Sequence, residues 1–227
     1  MTRRRLIGLA GLIVLAGTVP GIATPAPGIS PKLASCPGGP PAVAVDIGHD
    51  LTAKGAQSAR GRGEFHFNRE LAHSIAAALA RAGARPVLIN AEGDRLSLKA
   101  RVEQINRTNP ALLLSVHHDS VQPHFLQTWE VNGQTLDYSD RFSGFSLFVS
   151  RRNPQASASE QFARAIGEQL TSKGLRPSLH HAEPIKGENR PLLDSTLGVY
   201  AFDGLAVLRG TRAPAVLLEA GCDQASQ

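Results

Sequence analysis

Between residues 42 and 218, short apolar runs of strand length alternate with stretches in which large apolar residues recur every four positions. This alternation is the feature that most limits how the chain can fold. Residues 42–46 form an apolar run bounded by prolines and glycine, which reads as a buried strand. Over 64–82, Phe67, Leu71, Ile75 and Leu79 fall on one face of a helix, and Gly83 stands where a C-terminal cap belongs. Residues 86–90 read as a strand, 97–107 as a helix with Leu98, Val102 and Ile105 inward, and 111–116 as a strand. Further on, 145–149 read as a strand, and 159–173 as a helix with Phe162, Ile166 and Leu170 inward, stopped by Gly174. The runs 205–208 and 215–218 close the pattern as strands. The stretches 120–144 and 176–203 show no period and read as loops. Strands alternating with helices predict an α/β fold: a single domain with a mostly parallel central sheet and helices on both faces.

The 227 residues bound the domain count. Three arginines, Arg3, Arg4 and Arg5, precede an apolar run from Leu6 to Ala16, and small residues follow. This is the form of a secretory signal over residues 1–23, cleaved after Ala23, and the run is too short to span a bilayer. Residues 24–41, rich in Pro, Gly and Ser, read as a linker, and 42–227 as the folded domain. Cys36 follows Leu33-Ala34-Ser35, a lipoprotein-like context, but about twenty residues from the apolar run, so lipidation is not expected. Cys36 and Cys222 are the two cysteines that an oxidising compartment would let pair. The leader arginines take the formal charge from +5 to +2 in the mature part. No basic run remains there, which argues against a nucleic-acid partner. With no second apolar run of spanning length, the mature chain should have no stable membrane span.

Three strand-like runs end in chemistry. Val43 to Ile47 leads to Gly48-His49, Leu112 to Val116 leads to His117-His118-Asp119, and Pro214 to Leu218 leads to Glu219. In an open parallel sheet the carboxyl ends of strands share one edge, where ligands bind. Two histidines and a carboxylate suit zinc, and a catalytic zinc keeps one position open for water. Glu64, opening a helix after Gly61-Arg62-Gly63, is the natural carboxylate ligand, leaving Glu219 as general base. Strand alternation puts one of His117 and His118 toward the site and turns the other away, without choosing between them. His66, His73 and His124 read as ordinary residues. His180, His181, Glu183 and Glu188 are potential ligands in a stretch read as a solvated loop; a sharper reading has one of them reach the zinc or its water.

These motifs resemble the zinc-dependent N-acetylmuramoyl-L-alanine amidases of the AmiC type. The apolar strand followed by Asp46-Ile47-Gly48-His49 is similar to the family's first motif. Glu64-Phe65-His66-Phe67-Asn68 resembles the segment of its second ligand, and Asp94, Arg101 and Asn106 fall where it carries an Asp, an Arg and an Asn. Ser115-Val116-His117-His118-Asp119 matches its Ser-x-His motif, which selects His117. Pro214 to Gly221 matches its closing motif around Glu219. The resemblance runs from Val43 to Gly221 in order, with Asp50 standing where the family usually has glycine. It implies a zinc held by His49, Glu64 and His117 at the strand carboxyl edge, with Glu219 catalytic. The implied substrate is peptidoglycan, cut between N-acetylmuramic acid and L-alanine, and the place of action is outside the cytoplasm, in the periplasm or cell wall. It also implies an amphipathic helix after the glutamate. Eight residues, 220–227, follow here, so the expectation is a domain cut short at its C-terminal end, with an apolar patch where that helix packs. The alternatives are another zinc amide hydrolase on the same scaffold, or a non-catalytic wall-binding regulator. Nothing in the sequence identifies an activating partner.

Overall fold

The computed structural model describes residues 39–94 and 96–222. The signal segment and Cys36 lie outside them. Strand β1 (Ala42–Ile47) is buried along its whole length and leads through a loop to helix α1 (Glu64–Arg81). Then follow β2 (Arg85–Ile89), α2 (Leu98–Arg107), β3 (Leu112–Asp119), the pair β4 (Gln127–Val131) and β5 (Gln134–Tyr138), and β6 (Ser146–Val149). After α3 (Ala156–Ser172) come β7 (Leu192–Asp194), β8 (Val199–Ala201), the short α4 (Ala206–Gly210) and β9 (Ala215–Cys222).

Seven strands form one sheet in the order β2-β1-β3-β9-β6-β8-β7. The pairs β1–β2, β1–β3, β3–β9 and β6–β8 are parallel, while β6–β9 and β7–β8 are antiparallel. The sheet is thus mostly parallel and reverses direction between β9 and β6. The carboxyl ends of β1, β3 and β9 lie side by side: Asp46 is in register with Ser115, and His117 with Glu219.

Helices cover both faces. Val45, Ile47 and Val116 pack with Phe65, Ala72 and Ile75 of α1, and Leu147, Val216 and Leu218 pack with Ala163 and Leu170 of α3. On the opposite face Ala44, Leu113, Ala215 and Leu217 pack with Ile105 of α2 and Leu208 of α4. The helix faces differ from the four-residue pattern in a consistent way. In α3 the residues fully against the sheet are Ser159, Ala163, Gly167 and Leu170, and in α1 they include Ala72, Ile75 and Ala76. Small side chains let the helices approach the strands closely. The larger Leu79, Phe162 and Ile166 flank that contact and line an apolar trough of about 240 Å³ between α1 and α3. Leu98 of α2 is 52% exposed; the buried residues of that helix are Arg101 and Ile105.

Three expectations from the sequence are corrected. Residues 120–144 are not a plain loop but hold the β4–β5 hairpin, closed by Asn132-Gly133 with φ of 52° and 76°. Both central residues of such a tight turn need positive φ, which Asn and Gly tolerate best. Residues 176–203 contain β7 and β8, each of three residues, that extend the sheet edge. The run 205–208 is not a strand: 206–210 form α4, because Leu208 turns into the core while Arg209 and Gly210 stay exposed.

Candidate metal centre

The first cluster stands at the carboxyl edge of β1 and β3. His49 follows β1 through Gly48 and holds φ = 63°, a left-handed backbone that is rare outside glycine and a few polar residues. Asn90, past β2, fixes that turn: its Nδ2 donates to the carbonyls of Ile47 (2.8 Å) and His49 (2.6 Å). The bend aims the imidazole at Glu64.

Glu64 is the first residue of α1, where the helix dipole favours a carboxylate. Its side chain sits between both histidines: Oε2 lies 3.0 Å from His49 Nε2, and Oε1 lies 3.1 Å from His117 Nδ1. Oε2 also accepts from Ala56 N, and Oε1 accepts from His118 N and from Asn68 Nδ2. Burial alone would raise the Glu64 pKa; the hydrogen bonds from His117 and His49 and the charges on them outweigh it, holding the carboxyl well below its ordinary range. The three residues offer donor atoms within 4.8 Å of one another.

The backbone leaves room for this arrangement only through glycines. A Cβ at Gly48 would collide with the His117 ring, and one at Gly55 would collide with Glu64 Oε2. From outside, the β4–β5 hairpin braces the loop ahead of α1: Trp129 Nε1 donates to Ala59 O at 2.8 Å.

His117 and His118 part company as alternation requires. His117 shares the face of Ser115, whereas His118 packs under α1, its Nδ1 2.8 Å from Asn68 Oδ1 and its ring against Phe67. Burial pushes the His118 pKa down to about 4; Glu64 opposes that shift and His117 adds to it. Asn68 had no role assigned from the sequence. It holds Glu64, Gly48 O and His118 together, and its signal was the i, i+4 spacing from Glu64 on a helix.

Beside the cluster opens a cavity of about 560 Å³, lined among others by His49, His117, Ser115, Asp46, Arg101 and Leu217. Its floor is a buried network. Arg101 donates to Asp46 Oδ1 through Nε (3.0 Å) and Nη2 (2.6 Å) and to Ile47 O, while Ser115 Oγ donates to Asp46 Oδ2. Asn106 ties α2 to α4 through Gly210 O and Arg212 N, and Asp94 is exposed. Glu219, half-buried, lies on β9 directly alongside His117 and lines an adjoining cavity of about 170 Å³ with Asp119, His181 and Glu188. Leu205 and Leu217 border both cavities. His180 and His181 gather on Asp119 and not on His49 or His117, while His66, His73, His124 and Glu183 join neither group.

A family model described as N-acetylmuramoyl-L-alanine amidase matches residues 43–225. The chain belongs to that family. The fold of this amidase is also that of solved family structures. Ami1 of Mycobacterium smegmatis is 20% identical, with 83% of this chain and 85% of that one covered at a TM-score of 0.62. Ami1 of Mycobacterium abscessus is 21% identical, with coverage of 83% and 87% and a TM-score of 0.60. The CwlD amidase of Clostridioides difficile, solved in complex with the GerS lipoprotein, is 16% identical, with coverage of 82% and 84% and a TM-score of 0.58. No curated protein matches the sequence. Among the described residues no helix is long and apolar enough to cross a membrane.

Proposed function

We propose that this amidase hydrolyses the amide between N-acetylmuramic acid and L-alanine of peptidoglycan with one zinc held by His49, Glu64 and His117. The observation that carries the reading is the Glu64 carboxylate placed between two imidazoles at the strand edge, beside an open cavity. The donor set fits the ion, since two nitrogens and a carboxylate oxygen lie within 4.8 Å of one another beside an open cavity. When bound, zinc supplies Lewis acidity at the scissile carbonyl.

The chain's own residues do the rest. Glu64 stays ionised and hydrogen-bonded, so it is preset as a ligand and does not compete for protons. Arg101, neutralised by Asp46, fixes the Ile47 carbonyl and hence the start of the His49 turn. Glu219 accepts the proton of the attacking water and returns it to the leaving alanine nitrogen. Leu96 and Leu98 line the cavity and are exposed, giving the sugar or the stem peptide an apolar surface to lie on. Residues 1–23 direct export, so the enzyme works in the periplasm or cell wall.

Digestion of purified peptidoglycan tests the reading. New free L-alanine amino ends without new reducing sugars are expected, and release of other ends would point to a different zinc amide hydrolase. In the same preparation His49→Ala and His117→Ala should abolish release. Full activity in both would remove the metal assignment.

A further inference from the structure

A second cluster lies one step further along β3. Asp119, His180 and His181 are all buried, and each offers a donor atom within 4.8 Å of the other two. Asp119 Oδ2 lies 3.0 Å from His181 Nε2 and 3.2 Å from His180 Nε2. The composition repeats that of the first cluster: one carboxylate between two imidazoles.

The far side of each ring is also held. His181 Nδ1 lies 2.8 Å from Glu188 Oε2, and Glu188 Oε1 accepts from Gln122 Nε2 at 2.7 Å. His180 Nδ1 lies 2.8 Å from Ser178 Oγ. Imidazoles whose outer nitrogen is fixed by a carboxylate or hydroxyl, with the inner nitrogens turned to one point, are arranged as metal ligands usually are.

His180 Nε2 is buried, and its 3.2 Å approach to Asp119 Oδ2 is not aligned as a hydrogen bond. The ring centroids of His180 and His181 lie 3.9 Å apart, and both rings stand against the same Asp119 oxygen. One divalent ion would engage all three donors, with Asp119 and Glu188 balancing its charge.

We propose that Asp119, His180 and His181 form a second metal site of zinc-type chemistry, clipping the 178–190 segment to the end of β3. Nitrogen and carboxylate donors suit zinc, and Asp119 and His181 line an adjoining cavity of about 170 Å³ with room for a further ligand. The ion fixes the wall of the cavity that contains Glu219. The proposal does not depend on the amidase reading, because its donors are a separate set.

The test is metal content. The full-length protein, produced with zinc and freed of loose ions, should carry two zinc ions per chain by mass spectrometry of the metal. His49→Ala should keep one, His181→Ala should keep one, and the double variant should keep none. A guard against misfolding of the His181 variant is Co2+ titration of His49→Ala, whose second cluster is untouched: one equivalent should give the visible absorption of a low-coordinate site. A single zinc in the parent protein that disappears in His49→Ala, or no cobalt absorption in that variant, would overturn the proposal and leave a hydrogen-bonded pin.

Discussion

Replacing Arg101 with Met removes one partner of a buried ion pair while nearly keeping the side-chain volume. Asp46 is wholly buried and Arg101 is 5% exposed, so solvent cannot take over the lost contacts. Arg101 makes two hydrogen bonds to Asp46 Oδ1 and one to Ile47 O; without them Asp46 retains the bond from Ser115. Leaving one charge of such a pair unpartnered costs about 3–5 kcal/mol. Against a total stability of roughly 5–15 kcal/mol the loss is large. At this chain length each kcal/mol moves Tm by about 2–4 °C, so a fall of roughly 6–20 °C is expected. Urea denaturation at pH 7 with saturating zinc is the assay, since metal occupancy itself shifts apparent stability. Asp46→Asn in the same background should recover part of the loss, because no charge is then stranded. The coupling should be about 1–3 kcal/mol. An Arg101→Met cost below about 1 kcal/mol, or strict additivity with Asp46→Asn, would show that the pair is not the buried anchor its geometry indicates.

Glu219→Gln should retain zinc and lower turnover roughly 10²–10⁴-fold, measured as alanine ends released per minute from peptidoglycan; a near-native rate would remove Glu219 as the base. Gly48→Ala should weaken zinc binding about 10–100-fold in chelator competition, because the new Cβ displaces the His117 ring while the backbone there is not left-handed. The depressed pKa of His118 makes stability pH-dependent in the metal-free protein. The folded state favours the neutral ring, so its contribution is complete above about pH 6.5 and is lost as pH falls toward about 4. The ceiling is about 3 kcal/mol, and His118→Gln should flatten the denaturation midpoint across that interval.

Elements with an uninterrupted apolar run or a long period were legible in the sequence. These are β1, α1, β2, α2, β3, β6, α3 and β9, and β1, β3 and β9 place the strand ends that carry His49, His117 and Glu219. The helix faces were legible only approximately, because Ala72, Ala163 and Gly167 contact the sheet by virtue of being small, and a pattern of large residues does not register them. The hairpin was overlooked although Asn132-Gly133 is a strong two-residue turn signal. Its strands alternate Trp129 and Leu136 with polar residues too sparsely to stand out. Three residues of β7 or β8 are too few to show any period. Within the site, alternation could not separate His117 from His118, because it fixes relative faces and not which face holds Glu64. The gathering of His180 and His181 on Asp119 depends on a long-range contact that no local pattern encodes.

The reversal of strand direction between β9 and β6 divides the cleft between two kinds of chain segment. On one side stand the carboxyl ends of β1, β3 and β9, with His49 just past β1 and His117 and Glu219 on β3 and β9 themselves. On the other side stand segments that enter the starts of β6 and β8, residues 140–145 and 195–198, which carry none of those three. Lengthening or exchanging the entering segments therefore changes the shape offered to a glycan or a cross-linked peptide without shifting the register that sets His117 against Glu219. A fold divided in this way can vary one bank while the residues proposed to react stay fixed on the other.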